Sequence, residues 1–184
     1  MNKAFTKEVD DEDEDALVLA ALPPNGKNYM TRAGYEAMRL EFSCLMDQER
    51  PKMVELVHWA ASNGDRSENG DYLYGKKRLR EIDRRIWFLT KRLGIAEVVD
   101  ASVHHGSDQI FFGAKVTYLE NGETERTVSI LGIDEVDTAK QEVSWVSPIA
   151  RILLKNRVGE KLLLPTPSGV VGIEILAVSY PRSA

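Results

Sequence analysis

Cysteine and histidine are scarce in this sequence of 184 residues. It has one cysteine, Cys44, and three histidines. A single thiol cannot form an intrachain disulfide or a cysteine metal cluster. His104 and His105 are adjacent rather than at ligand spacing, and His58 lies far from both in the chain. These residues therefore predict neither a metal site nor a catalytic cluster.

Long hydrophobic runs are also missing. The longest, ALVLAAL from Ala16 to Leu22, is far shorter than the roughly 20 residues that span a bilayer. It follows acidic residues, whereas a secretory signal begins with basic ones. We therefore expect a cytoplasmic protein without a membrane segment. Apolar residues make up 43% of the sequence, which is ordinary for a folded protein with a core.

Charge is distributed unevenly along the chain, whose formal net charge is −5. Residues 1–28 have a net charge of −4, residues 29–93 of +3 and residues 94–184 of −4. Only the middle segment is basic. A basic segment in an otherwise acidic protein indicates a local contact with a polyanion.

The first 28 residues contain the acidic block DDEDED, Asp10 to Asp15, followed by PPNG at residues 23–26. A run of like charges followed by turn formers favours disorder, so we expect an acidic tail over residues 1–28. Two roles are open for it. The tail either solvates the protein, or mimics nucleic acid and folds back on the basic middle segment.

The first amphipathic segment follows Thr31, a suitable helix N-cap. Its apolar residues recur at steps of three and four, at Tyr35, Met38, Phe42 and Leu45. The spacing is typical of a helix with a coiled-coil seam. It resumes at Met53 after a polar interruption that contains Pro51. Proline inside a helix costs roughly 3 kcal/mol, so the helix is expected to bend or break there.

A second amphipathic segment has the same steps without a miss. Its apolar positions are Tyr72, Gly75, Leu79, Ile82, Ile86, Leu89 and Leu93. Two helices of about thirty residues, each ~45 Å long at 1.5 Å per residue, are joined by one short connection. They are predicted to pair as an antiparallel α-helical coiled-coil hairpin over residues 29–95.

From Glu97 the hydrophobic period changes to two. The predicted strands are FFGAKVTYLE, ERTVSILG, EVSWVS, KLLLPTP and GVVGIEILAVSY. Asn121 and Gly122 predict a hairpin turn, and residues 148–155 one short helix. The fold class is therefore α+β, in which the N-terminal hairpin precedes a compact antiparallel β-sheet domain over residues 96–184.

The connection between the two helices, NGDRSENGDY, contains three acids, Asp65, Glu68 and Asp71. Asp65 and Glu68 fit a capping box for the second helix, but capping leaves Asp71 unexplained. Carboxylates are also the ligands that Mg²⁺ prefers. Because so few ligands cannot complete a site, the others would come from another macromolecule.

Behind this tip lies KKRLREIDRRIWFLTKR, with eight basic and two acidic residues from Lys76 to Arg92. Lys76, Arg80, Arg84 and Lys91 lie near one stripe, and Arg78, Arg85 and Arg92 repeat every seven residues. Such stripes track phosphates without reading base sequence. The alternative is an ordinary solvated helix face.

One long motif resembles a known family. The arrangement W-A-A-S-x-G-D-R-S-E-N-x-D-Y followed by K-K-R-L-R-E-I-D-R-R, residues 59–85, resembles the bacterial transcript cleavage factors of the Gre family, GreB type. The segment SPIARILLKNRVGE, Ser147 to Glu160, is similar to that family's C-terminal signature. The resemblance covers about residues 29–181. Gly70 departs from it, since the family commonly has alanine there.

The resemblance implies an FKBP-like C-terminal fold without isomerase activity and a hairpin that enters the secondary channel of RNA polymerase. Asp65 and Glu68 would help to hold a catalytic Mg²⁺ in the polymerase active site. The polymerase would then cleave its own backtracked RNA, so the factor, a monomer, would not be an enzyme by itself. Ser147 and Pro148 would contact the polymerase.

The position of Lys76, Lys77, Arg80 and Arg84 behind the tip predicts contacts with the 3′ end of the backtracked RNA. Three rival functions are open. A channel-binding inhibitor would share the hairpin but need no metal ligands. A peptidyl-prolyl isomerase or chaperone would leave the hairpin unexplained. A free nuclease would need more converging ligands than the chain offers.

Overall fold

A computed structural model describes residues 27–62 and 69–182, which form two compact units. One unit comprises residues 38–62 and 69–95, and the other combines Lys27–Ala37 with the chain from Ala96 onward. The acidic tail predicted for residues 1–28 lies outside the described residues apart from its last two. None of the helices in the described ranges is long and apolar enough to cross a membrane.

The second unit begins with a strand that the sequence pattern did not predict. Strand β1, Asn28–Thr31, pairs in parallel with β2, Ala96–Val99. Residues 28–37 therefore belong with the C-terminal unit, whereas the sequence assigned residues 29–95 as a whole to the hairpin. Local periodicity cannot show this, because the two strands lie about 70 residues apart in the chain.

Glu135 links the end of β1 to Gly132 through hydrogen bonds with backbone and side-chain groups. Its carboxylate accepts the N–H of Thr31 at 3.0 Å, the Thr31 hydroxyl at 2.5 Å and the N–H of Gly132 at 2.6 Å. The Thr31 hydroxyl also accepts the N–H of Gly34 at 3.0 Å. Thr31 thus caps the first helix, which confirms the predicted start.

The first helix is continuous but changes its winding. Helix α1, Arg32–Cys44, passes through a π-helical turn, Leu45–Glu49, into α2, Arg50–Ser62. The N–H of Arg50 donates to the carbonyl of Leu45, five residues back. Pro51 follows at once, and it could neither donate a helical hydrogen bond nor avoid the carbonyl four residues before it. The helix therefore rewinds ahead of Pro51 and does not break.

The π-turn also preserves the apolar seam. Leu45 and Met53 are eight residues apart, one more than a heptad. In a regular α-helix the second residue would lie about 80° around the axis from Leu45. A π-turn absorbs one extra residue, so Leu45 and Ala60 are both buried on either side of it.

Helix α3, Gly70–Gly94, runs antiparallel to the first helix. Gly75 faces Val57, Arg78 pairs with Glu49, and Arg85 pairs with Glu41. The partner number falls as the α3 number rises, as the predicted hairpin requires. All seven predicted seam residues of α3 are buried or half-buried: Tyr72, Gly75, Leu79, Ile82, Ile86, Leu89 and Leu93.

Five strands form the main sheet of the second unit. They are β3 (Lys115–Glu120), β4 (Thr124–Leu131), β5 (Glu142–Ser144), β6 (Lys161–Thr166) and β7 (Gly169–Ser179). Their spatial order is β5-β4-β3-β7-β6. Neighbours are antiparallel except β4 and β5, which are parallel. The sheet is therefore mixed, whereas the sequence predicted a wholly antiparallel one.

The sheet packs its core against a short helix, α4, Pro148–Leu153. Ala150 and Leu153 of this helix are fully buried with Ile110, Ile130 and Ile175 of the core. The predicted turn between β3 and β4 is confirmed, because Asn121 and Gly122 both have positive φ, 52° and 78°. Both central residues of a type I′ turn need such angles.

Candidate functional site

The start of α3 is fixed by Asn69. Its side-chain oxygen accepts the N–H groups of Asp71 at 3.1 Å and Tyr72 at 3.2 Å, so Asn69 is the N-cap. Its amide also donates to the carbonyl of Ala60 on α2 at 2.9 Å. One side chain thus satisfies backbone groups at facing ends of two helices, where hydrogen-bond partners are otherwise missing.

This cap corrects the predicted capping box, which placed Asp65 at the cap of the second helix. Asparagine and aspartate are equally good caps, and the sequence offers both within five residues. Asp65 and Glu68 themselves lie outside the described residues. Asp71, the third acid of the tip, is exposed in the first turn of α3. A carboxylate there is stabilised by the helix dipole.

Part of the basic run on α3 holds the hairpin together. Arg85 donates to both carboxylate oxygens of Glu41, at 2.7 and 2.8 Å. Arg78 reaches Glu49 at 3.3 Å across the hairpin. In the opposite sense, Arg50 pairs with Asp83 at 2.8 Å. Two of the three arginines that repeat every seven residues therefore form ion pairs with the facing helix.

The third arginine of this repeat, Arg92, is only 2% exposed, and its guanidinium lies 5.4 Å from the ring centre of Phe88. Arg85 contacts the same ring at 5.0 Å. A guanidinium can stack on an aromatic face at such distances. The heptad arginines are therefore structural, which corrects the expectation that this second stripe tracks phosphates.

The other basic residues point to solvent. Lys76, Lys77, Arg80 and Arg84 are all exposed. In the described part of the chain, Lys76, Lys77 and Arg80 form no ion pair. Lys76 lies 5.9 Å from the ring centre of Tyr72. The structure thus separates the arginines used inside the hairpin from Lys76, Lys77 and Arg80, which are exposed and can meet a polyanion.

The ion pairs shift the pKa values of Glu41 and Arg78. Hydrogen bonding to Arg85 lowers the pKa of Glu41 below its ordinary value. Hydrogen bonding to Glu81 raises the pKa of Arg78, and the charge of Glu49 adds to the effect. Both residues therefore stay charged over the physiological pH range and hold the two helices in register.

Metal-ligand clusters are not found among the residues that the structure describes: no group of three or more His, Cys, Asp or Glu side chains converges there. Of the three tip acids, only Asp71 falls within these residues. A magnesium site formed by Asp65 and Glu68 therefore stays a prediction. The described residues by themselves do not complete such a site.

The predicted polymerase-contact residues, Ser147 and Pro148, begin helix α4. The Ser147 hydroxyl accepts the N–H of Ala150 at 3.3 Å, and Pro148 occupies the first helical turn. Proline suits this position because its missing N–H would have no helical partner. The capping role is therefore present, and Pro148 is also exposed. A contact with a partner stays a prediction.

Some exposed residues near the tip were not anticipated. Trp59 on α2 is 55% exposed, and Leu73 and Tyr74 on α3 are 52% and 63% exposed. Sequence periodicity could have excluded Leu73 and Tyr74 from the seam, since they fall between Tyr72 and Gly75. It could not show that neighbouring side chains leave them uncovered.

Two family models match this chain over most of its length. The model described as "Transcription elongation factor, N-terminal" matches residues 28–98, and the model described as "Transcription elongation factor, GreA/GreB, C-term" matches residues 105–180. Their boundary falls close to that between the helical hairpin and the sheet unit. The chain belongs to the GreA/GreB family of transcription elongation factors.

Among individual proteins the similarity is to the GreB type. Transcription elongation factor GreB of Neisseria meningitidis serogroup B is 57% identical over 154 residues, which cover 84% of this chain and 94% of the relative. GreB of Pasteurella multocida is 43% identical and covers 84% and 98%. The solved structure of GreA factor homolog 1 (Gfh1) of Thermus thermophilus has 22% identity, coverage of 83% and 98%, and a TM-score of 0.39.

Proposed function

We propose that this protein binds a bacterial RNA polymerase whose transcript has slipped backwards, and stimulates the polymerase to cleave that transcript. The helical hairpin enters the secondary channel, through which the 3′ end of the RNA is extruded. The polymerase then resumes elongation from the new 3′ end. Membership of a family of transcription elongation factors and the layout of charges on the hairpin support this proposal.

The observation that carries the proposal is the set of cations left outside the internal ion pairs. Lys76, Lys77 and Arg80 follow the acid-rich tip segment within one to three turns of α3 and face solvent. An RNA strand that starts at the tip meets them in succession. Their contacts with phosphates are independent of base sequence and weaken as salt rises. Arg84, one turn further on, is exposed on the same side of α3 and is proposed to add a phosphate contact.

The tip acids are proposed to act on the metal of the polymerase. Asp65 and Glu68 supply carboxylates, and the polymerase completes the coordination shell. A Mg²⁺ ion held there would form, with another Mg²⁺ of the polymerase, a two-metal site that stabilises the attacking and leaving oxygens of phosphodiester hydrolysis. This chain would supply the two carboxylate ligands at the end of its helical hairpin, while the polymerase would catalyse the cleavage. It is therefore proposed to be an activator and not a nuclease by itself.

Docking of the second unit is proposed to involve Ser147 and Pro148. Their strand-to-helix turn is held by the Ser147 cap and presents the ring of Pro148 to solvent. A rigid turn can be recognised without a large loss of entropy. One copy of the chain would suffice, since one hairpin carries both the tip acids and the cation track. It would act in the cytoplasm, where bacterial transcription takes place.

A transcript-cleavage assay on stalled elongation complexes tests the proposal. The unmodified protein should release short 3′ fragments only when polymerase is present. Glu68→Gln and Asp65→Asn should reduce the cleavage rate by orders of magnitude, because each removes a charged ligand with little change of shape. Competition binding to polymerase should be nearly unchanged for both. Normal cleavage by Glu68→Gln would remove its proposed role as a metal ligand.

The second candidate function is inhibition of polymerase through the same channel. Its supporting observation is the stiff, ion-paired hairpin, which could also obstruct the channel. Asp65 and Glu68 oppose it, because an obstructing factor needs no pair of carboxylates at metal-ligand spacing. The same assay distinguishes the two: an inhibitor lowers both cleavage and nucleotide addition, whereas the proposed activator raises cleavage.

A further inference from the structure

One aromatic side chain near the start of α3 has no role in the hairpin. Tyr74 is 63% exposed. Tyr72, two residues earlier, is half-buried in the seam and lies beneath Lys76. Tyr74 has no ring or cation contact in the described ranges 27–62 and 69–182. Its ring faces are therefore open to a ligand.

Tyr74 lies beside the available cations. Lys77 follows it by three residues, which places the two side chains about 4.5 Å apart along the helix axis and about 60° apart around it. Arg80 follows Lys77 by the same step. Both cations are exposed and outside the ion pairs of the described chain. The first exposed turns of α3 thus present an aromatic ring followed by two positive charges.

This combination matches the chemistry of single-stranded nucleic acid. Sites of this kind bind phosphates with basic side chains and stack bases on aromatic rings. A double helix would hide its base faces, whereas an extruded single strand exposes them. An apolar protein surface would bind the ring through its apolar area alone, so an aliphatic side chain of similar size could replace it. A nucleic-acid base stacks on the flat face of the ring, which only an aromatic residue provides.

We infer that Tyr74 stacks against a base near the 3′ end of single-stranded RNA, while Lys77 and Arg80 bind the adjacent phosphates. The inference rests on the proposed function, because it takes the extruded transcript as the strand. It adds a base-contacting residue between the tip acids and the cation track. Stacking would hold the displaced nucleotide in place without selecting a particular sequence.

The test uses stalled complexes whose RNA 3′ terminal base is the fluorescent purine 2-aminopurine, backtracked by a few nucleotides. Binding of the unmodified full-length protein should quench the fluorescence through stacking. Tyr74→Ala should remove the quenching and weaken RNA crosslinking roughly tenfold. Tyr74→Phe keeps the ring and should restore both signals. Tyr74→Leu keeps apolar area without a π-face and should not restore them.

Leu73→Ala is the matched control, because Leu73 is an exposed apolar residue of the same turn. It should leave quenching unchanged. Equal rescue by Leu and Phe at position 74 would overturn the inference in favour of an apolar protein contact. Unchanged quenching by Tyr74→Ala would overturn it outright. If the unmodified protein fails to stimulate cleavage of the same complexes, the proposed function fails, which is a separate result.

Discussion

Gly75 determines how closely the two helices of the hairpin approach. It is buried, and a Cβ atom at this position would lie 2.8 Å from Cγ2 of Val57. That distance is shorter than a normal contact, so any side chain at position 75 must displace Val57 on the facing helix. Glycine costs helix stability, by roughly 0.5–1 kcal/mol relative to alanine. The close packing of α2 and α3 offsets this cost.

Replacing Gly75 by leucine is expected to destabilise the hairpin by about 1–3 kcal/mol, because the core here has no room for the added atoms. Urea unfolding followed by circular dichroism of the helices measures the change. Gly70→Ala is the matched control, since a Cβ at Gly70 meets nothing within 4 Å. It should stabilise by about 0.5–1 kcal/mol. A Gly75→Leu protein as stable as the original would mean that the helices separate without cost.

Asn69 is the second residue with an effect beyond its own position. It caps α3 and also donates a hydrogen bond to the carbonyl of Ala60. One side chain therefore links the start of α3 to the end of α2. Which of Asn69 and Asp65 is the N-cap depends on the residue at which the second helix begins, and the structure begins it at Gly70. Both residue types are good N-caps. The apolar seam begins at Tyr72, a few residues after both, so the sequence pattern is compatible with either residue as the cap.

At the level of single elements, the π-turn reconciles a proline with an unbroken helix. Leu45–Glu49 takes up one residue more than an α-helical turn would, and Pro51 lies two residues after its end. Deleting one residue from such a turn leaves a regular α-helix with both halves of the seam in register. In that regular helix, however, the proline ring would clash with the carbonyl four residues earlier.

We therefore expect deletion of Gln48 to cost about 3 kcal/mol while Pro51 is present. The same deletion combined with Pro51→Ala should be nearly neutral, because the heptad spacing is then regular and no clash remains. Thermal and urea unfolding of the four proteins in this double-mutant cycle provide the measurement. An equal cost of the deletion with and without Pro51 would show that the π-turn does not depend on the proline.

The ion pair between Glu41 and Arg85 makes hairpin stability depend on pH. Because Arg85 lowers the pKa of folded Glu41 below its ordinary value of 4.5, the pair stabilises the folded state fully above that pH. The contribution is lost as the pH falls through the lower, folded pKa. The side chains of Arg85 and Glu41 are 46% and 40% exposed. Solvent screening therefore limits the contribution of the pair to about 1 kcal/mol.

Glu41→Gln is therefore expected to lower the unfolding free energy by up to about 1 kcal/mol at pH 7. The difference from the original protein should shrink at pH values below 4.5. Urea unfolding from pH 7 to pH 3 checks this. Glu36→Gln is the control, because its pair with Arg32 is more exposed. A difference between Glu41→Gln and the original protein that stays constant with pH would contradict the ion-pair account.

For the whole molecule, the division of the cations is the property that bears on function. The hairpin uses Arg78 and Arg85 to join its helices and leaves Lys77 and Arg80 to solvent. A variant that neutralises the outward set should keep its stability, whereas one that neutralises Arg78 and Arg85 should be less stable, by up to about 1 kcal/mol for each ion pair lost. The two sets therefore offer separate tests of stability and of RNA binding.

Neutralising Lys77, Arg80 and Arg84 together should reduce cleavage more in deeply backtracked complexes than in complexes backtracked by a few nucleotides. A longer extruded strand makes more phosphate contacts along α3. Comparison of the two kinds of complex at several salt concentrations measures the effect, and the salt dependence should flatten. Equal losses on both complexes would assign these cations to polymerase docking or solubility.

The sequence by itself determined the hairpin, its seam, the five strands of the main sheet and the turn at Asn121 and Gly122. Each of these follows from a pattern within a short window: steps of three and four for a helix, alternation for a strand, and residues that tolerate positive φ for a turn. It also predicted which residues carry charge at the tip and along α3. Composition and spacing are sufficient for such features, because their physical cause is local.

The tertiary structure decided which of these charges are available and where the units begin. Arg85 and Lys77 are both cations on one helix, but only the position of Glu41 on the facing helix gives Arg85 a partner. The pairing of β1 with β2 and the link from Asn69 to Ala60 likewise join residues distant in the chain. Such contacts depend on how the helices and strands pack, which is why local periodicity does not contain them.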